Sequence, residues 1–267
     1  MVSTVRNTLP RAEPRSWPAP FEVAHMPGSL PNGGVVAMTP IHALATPAHA
    51  LQFSAAQGLT PQRIGIDLGG LLAFEILDVI TPDEADAIVE VSELFGYRDE
   101  APGIATPPGM RMNKAVHWMA DESMMTPIFQ RIGHLLPASI DGARLSPELS
   151  RRINMYRYDA DDVFNMHTDG DWPGYGLSAD RGRMLEWPGL RSCLSMLLYL
   201  NGPDDGVEGG STRLYRADRG HVDVRPKKGS ALFFRHGFGP HSVLHEGSRV
   251  LGEVSKYVAR INVMYQR

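Results

Sequence analysis

The chain has 267 residues, enough for one domain with an appendage and a substantial buried core. With 43% hydrophobic and 21% charged residues it reads as a globular protein, and a net charge of −4 gives no general nucleic-acid surface. Cys193 is the single cysteine, which excludes an internal disulfide framework and a cysteine-rich zinc site and suits a reducing cytoplasm.

Residues 1–64 read as a Pro-rich N-terminal extension, and residues 65–267 as one domain. Prolines at 10, 14, 18, 20, 27, 31, 40, 47 and 61 punctuate the extension, which is expected to wrap the domain or stay partly mobile. One short helix is expected within 42–57. Arg6, Arg11 and Arg15 tint the terminus basic, but it has no continuous apolar run of the kind a secretory signal needs. No segment is apolar for long enough to span a bilayer, so neither a membrane nor a nucleic acid is expected as a partner.

The pattern sharpens after Ile64. Residues 72–80 read as a strand. Thr81-Pro82-Asp83-Glu84 then supplies an N-cap, a proline for the first turn and acids at the helix start, and Gly96 closes the helix. A second helix is predicted over 125–136. From Arg151 onward come short strands rich in β-branched and aromatic residues: 151–158, 193–200, 212–215, 221–224, 231–235, 242–246 and 256–265. Between them, residues 170–191 hold Trp172, Tyr175, Arg183, Trp187 and Arg191 among glycines and prolines, and read as a loop or lid. Residues 100–113 read as a mobile loop. Helices first and strands afterwards give an α+β class, and many short strands around an inward-facing site suggest a jelly-roll barrel.

His167-Thr168-Asp169 carries the chemistry. At a strand end, residues i and i+2 point the same way, so an imidazole and a carboxylate converge. Two histidines and one carboxylate form a non-haem Fe(II) site with open positions. The third ligand comes from His221, His236, His241 or His245. Strand geometry does not separate His241 from His245, but His245 leads through a turn into the strand carrying Lys256, and that context favours it. Taken alone, Lys256 would be a solvated charge, and Tyr158 and Tyr199 core aromatics.

In order, the chain presents Tyr158, His167-Thr168-Asp169, Tyr199-Leu200-Asn201, Gly209-Gly210-Ser211-Thr212, Pro226-Lys227-Lys228-Gly229 before an apolar strand, His245, and Lys256-Tyr257. This series resembles the prolyl-4-hydroxylase-like branch of the Fe(II)/2-oxoglutarate-dependent dioxygenases over about residues 71–267. The resemblance implies a double-stranded β-helix (jelly-roll) with N-terminal supporting helices. It implies that His167, Asp169 and His245 bind iron, and that Lys256 pairs with the distal carboxylate of 2-oxoglutarate. Tyr158, Tyr199 and Thr212 would line the co-substrate pocket. Arg249 stands where that branch often has proline, and eleven residues rather than ten separate His245 from Lys256, so Arg249 and Arg260 are rivals for the carboxylate. The implied cofactors are Fe(II), 2-oxoglutarate and O₂, with ascorbate as a reductant. The implied reaction hydroxylates an unactivated C–H bond and converts 2-oxoglutarate to succinate and CO₂. A small-molecule substrate is expected, and arginines near the pocket suggest an anionic one. A protein prolyl residue is the alternative substrate, and a non-catalytic metal-binding or ligand-binding barrel the alternative class.

Overall fold

The computed structural model describes residues 14–29, 35–56, 58–102 and 107–266. Arg6, Arg11, Gly33-Gly34 and the centre of the expected 100–113 loop lie outside them. Among the described residues the strands form one 13-stranded sheet and one 4-stranded sheet.

The middle of the large sheet is built by Ala73–Leu77, Ala231–Arg235, Met184–Tyr199, Lys256–Gln266, Arg152–Tyr158 and Lys114–Met119, neighbours in that order. The strand period of two sorts their side chains. Leu194, Met196 and Leu198 of one strand and Ala259, Ile261 and Val263 of its neighbour enter the main apolar core. That core also takes Ala85, Ile88 and Val91 of the helix Pro82–Phe95, and Met124, Ile128 and Ile132 of the helix Glu122–Ile132. The intervening residues Ser195, Leu197, Lys256, Val258 and Arg260 face the other way. Across from them lies the small sheet, ordered Phe164–His167, His245–Gly247, Thr212–Tyr215, His221–Val224. Two sheets facing each other, with both helices behind the larger one, make the expected jelly-roll.

The first helix starts as its sequence dictates. Thr81 Oγ1 accepts from the Glu84 N–H at 3.2 Å, and Glu84 Oε2 accepts from the Thr81 N–H at 2.9 Å, a reciprocal capping box. The same Glu84 carboxylate is gripped by buried Arg131 at 2.7 and 2.8 Å, which ties the two helices together. The second helix begins three residues before its predicted start, and its expected last turn is a 3-10 turn, Gly133–Leu135. None of the described helices is long and apolar enough to cross a membrane.

Two segments differ from expectation. Pro20–Ser29 and Val35–Leu44 pair as an antiparallel hairpin, and Ile41 and His42 pair in parallel with His117 and Trp118 of the large sheet. The Pro-rich segment thus supplies strands and core residues such as Ile41, Ala43 and Leu44. Within the stretch expected to hold one short helix there is a single 3-10 turn, His49–Leu51. Second, residues 170–191 are not a loop. Pro173–Leu177 pairs with the first half of Met184–Tyr199. Gly174 and Gly176 looked like strand breakers, but they make room for Trp187. A Cβ on Gly174 would lie 2.5 Å from Trp187 Cε3, and one on Gly176 2.9 Å from its Nε1. Glycine here permits a close side-chain approach rather than a turn.

Candidate metal centre and cavity

His167 ends the strand Phe164–His167, and His245 opens the strand paired with it, the two directly opposite in register. Asp169 lies two residues beyond His167, its backbone carbonyl held by the Gly237 N–H at 2.9 Å. One ligand atom from each of the three residues lies within 4.8 Å of the other two. His167 Nε2 is 3.9 Å from Asp169 Oδ1, and His245 Nε2 is 3.9 Å from Oδ2.

The donor set fits a divalent metal. His167 Nδ1 lies 2.7 Å from the Asn165 carbonyl, and His245 Nδ1 lies 3.1 Å from that of Val243. A carbonyl only accepts, so each Nδ1 carries the proton and each Nε2 offers its lone pair. Burial, then mutual repulsion with His245, pulls His167 down to about 3, and burial also lowers His245. Burial opposes ionisation of Asp169, but Arg260, His245 and His167 outweigh it and hold the carboxyl well below its usual range. Two neutral imidazoles and one carboxylate therefore meet at neutral pH.

The triad lies in the wall of a cavity between the sheets. Tyr156, Tyr158, Lys256, Val258 and Arg260 line its large-sheet side, and Phe164, Thr212 and Gly247 its small-sheet side. Lys256 is only 1% exposed. Its Nζ lies 5.1 Å from the Tyr158 ring centroid and 5.6 Å from that of Tyr199, and among the described residues no carboxylate pairs with it. Burial alone pulls it down to about 7.

Residues 153–264 match the family model of the 2OG-Fe(II) oxygenase superfamily. That stretch holds His167, Asp169, His245 and Lys256, so the superfamily match coincides with the cavity. The domain is that of a 2-oxoglutarate-dependent dioxygenase, with Fe(II), 2-oxoglutarate and O₂ as its cofactors. No curated protein matches the chain. Among solved structures, a viral collagen prolyl hydroxylase from Paramecium Bursaria Chlorella virus-1, in a 2OG complex, is similar. It is 18% identical, the match covers 74% of this chain and 98% of that one, and the TM-score is 0.50. A Pseudomonas putida prolyl-4-hydroxylase is 16% identical over 75% of this chain and 95% of its own, with a TM-score of 0.46. A Trichoplax adhaerens prolyl hydroxylase, in complex with a hypoxia inducible factor peptide fragment, is 15% identical over 73% and 83%, with a TM-score of 0.48. At these identities the first likeness establishes the fold.

In this oxygenase domain Asp169 is the hub of a polar relay. Arg260 Nε donates to Asp169 Oδ2 at 2.9 Å, and the Ser195 hydroxyl donates to the same oxygen at 2.5 Å. His236 lies 2.8 Å from Ser195 Oγ through Nδ1 and 2.8 Å from Ser192 Oγ through Nε2. Ser192 Oγ in turn accepts from the Trp172 N–H at 2.9 Å. Arg260, a rival anchor in the sequence, is thus engaged by the triad's carboxylate. Arg249 is exposed and reaches the Asp161 carbonyl at 2.9 Å. His241, the rival ligand, lines a separate surface cavity with Phe238 and Asp171.

The remaining expected residues separate into two groups. Tyr158 and Thr212 line the cavity. Tyr199 is buried behind it, its hydroxyl donating to Thr212 Oγ1 at 2.8 Å. Residues 248–255 absorb the extra position between His245 and Lys256: the Gly210 and Asp161 N–H groups bond the carbonyls of Arg249 and Val250. Gly210 also lies against the lysine stem. Its φ is +64°, and a Cβ there would lie 3.0 Å from Lys256 Cδ. Sequence reading missed Tyr156 and Ser195, and it named His236 as a candidate third ligand, whereas its ring bonds Ser195 and Ser192. Tyr156 was findable, being two residues from Tyr158 on one strand face. Ser192 and Ser195 were findable as polar breaks in an apolar run.

Proposed function

We propose that this dioxygenase hydroxylates an unactivated C–H bond of a small molecule, with His167, Asp169 and His245 holding Fe(II) and Lys256 anchoring 2-oxoglutarate. The observation that carries this reading is the pairing of two features in one cavity: three convergent, correctly protonated donors, and a buried lysine with no carboxylate partner among the described residues. A lysine pulled down to about 7 by burial gains most from an incoming carboxylate, which restores its charge. Tyr158 and Thr212 would hydrogen-bond the same carboxylate, and the Tyr158 and Tyr199 rings support the ammonium. Arg260 and Ser195 fix the orientation of Asp169, so its free oxygen faces the metal position. The bound iron supplies O₂ activation coupled to decarboxylation. R–H, 2-oxoglutarate and O₂ become R–OH, succinate and CO₂, one oxygen atom going to each organic product.

The prolyl hydroxylase neighbours make a peptidyl proline the second candidate substrate. The position of the triad and Lys256 in a small cavity between the two sheets favours a small molecule. Succinate release with Fe(II) and 2-oxoglutarate, measured over a panel of small acids and proline-containing peptides, separates the two. Stimulation by small acids is expected; stimulation by peptides alone would overturn the small-molecule reading.

A further inference from the structure

The cavity face of the large sheet continues past the triad, away from Lys256. Along Arg152–Tyr158, residues 152, 154, 156 and 158 share one side, and Tyr156 and Tyr158 already line the cavity. Asn154 pairs with His117 on one neighbouring strand and with Arg260 on the other, while Ser195 pairs with Asn262. His117, Arg152, Arg260 and Asn262 therefore form a contiguous polar patch, each at most 6% exposed.

This patch is incompletely satisfied. Arg152 Nε, Arg260 Nη2, His117 Nε2 and Asn262 Oδ1 are buried without hydrogen-bond partners among the described residues. No described carboxylate pairs with Arg152. Its guanidinium lies 4.5 Å from the Trp172 ring and 4.9 Å from the Tyr175 ring, and Nη1 rests 2.8 Å from the Met26 thioether. Stacking on two rings does not offset the desolvation of a guanidinium, and a thioether is a weak acceptor. The arginines named from the sequence do not serve here: Arg191 pairs with Asp171, and Arg183 is exposed.

We propose that this patch is the primary-substrate subsite and that Arg152 binds the substrate's carboxylate. The inference rests on the dioxygenase reading and names its substrate class. A carboxylate oxygen takes the position beside Nη1 held by the Met26 thioether. The neutral His117 imidazole donates from Nδ1 to Asn154 Oδ1 at 2.8 Å, leaving Nε2 as an acceptor, and Asn262 Oδ1 is another. Two donors and two acceptors match a small acid that also carries an N–H or O–H group. The relay from Asp169 to the Trp172 N–H connects the triad to the ring that covers Arg152.

The test uses the full chain with Fe(II) and saturating 2-oxoglutarate. Succinate release is measured with free amino acids and 2-hydroxy acids, each beside its primary carboxamide. At least one acid is expected to stimulate release, with its amide about 100-fold weaker in kcat/KM. Arg152→Gln should raise KM for that acid by a similar factor, with Arg152→Lys intermediate. Arg152→Gln should also keep or raise the Tm of the ligand-free protein, because it removes an uncompensated buried cation. Amides equal to acids, no acid active, or a large Tm loss that marks Arg152 as a structural staple would each overturn the proposal. The anaerobic Fe(II)–2-oxoglutarate absorption of the wild type is the control: its absence is a failure of the dioxygenase reading, and its presence leaves any failure to the Arg152 subsite.

Discussion

The two faces of the large sheet are made by alternate residues of the same strands, yet they follow opposite rules. On the helix side, Leu194, Met196, Leu198, Ile261 and Val263 pack into a continuous apolar core. On the cavity side, Ser195, Lys256, Arg260, Asn262 and Arg152 are equally buried but polar, and several have atoms without partners among the described residues. The helix-side face is apolar core; the cavity-side face sets apolar residues such as Leu197 and Val258 beside buried charges, and ligands are the proposed partners of Lys256 and Arg152. A period of two lets a single strand do both.

That contrast can be broken by substitution. The largest effect belongs to the triad: Asp169→Ala removes the only carboxylate of the donor set, and turnover should fall by a factor of about a thousand or more, read as succinate release. Next, Ile261→Ala on the helix side should destabilise the fold by about 2–5 kcal/mol in denaturant unfolding and leave the affinity for 2-oxoglutarate unchanged. Lys256→Met, five positions along the same strand, should do the reverse. It should raise the KM for 2-oxoglutarate about 100-fold while the ligand-free protein holds or gains Tm. A loss of Tm comparable to that of Ile261→Ala would end the distinction between the faces. Ser195→Ala should weaken Fe(II) binding about 10- to 100-fold by freeing Asp169, measured by metal titration.

The smallest effect is a pH slope. Lys256 titrates at about 7 in the free protein. Above that pH it is neutral, so 2-oxoglutarate binding must take up a proton, and KM should rise toward about tenfold per pH unit. Below pH 7 the lysine is already charged and contributes no slope. A KM independent of pH from 7 to 9 would remove Lys256 as the anchor, and Lys256→Met should lose the slope.

Much of the site was legible because its chemistry sits at strand ends. His167 and Asp169 are two apart at one such end, and His245 and Lys256 flank the turn between two predicted strands. The capping box at Thr81 was legible because its rules are local. What escaped depended on neighbours remote in sequence. Gly174 and Gly176 look like breakers until Trp187, eleven or more positions on, lies across them. The hairpin of Pro20–Ser29 and Val35–Leu44 escaped because prolines mask a strand whose partner is 76 residues away, as with Ile41 and His117. Arg260 could be placed on the cavity face from its spacing to Lys256, but its attachment to Asp169 needed the third dimension.

The central claim is that His167, Asp169 and His245 hold iron while Lys256 holds the co-substrate beside it. Anaerobic addition of Fe(II) and 2-oxoglutarate to the full chain tests it most directly. A visible charge-transfer absorption is expected in the wild type, absent in His167→Ala, and requiring about 100-fold more 2-oxoglutarate in Lys256→Met. No absorption in the wild type, or the same absorption in His167→Ala, would contradict it.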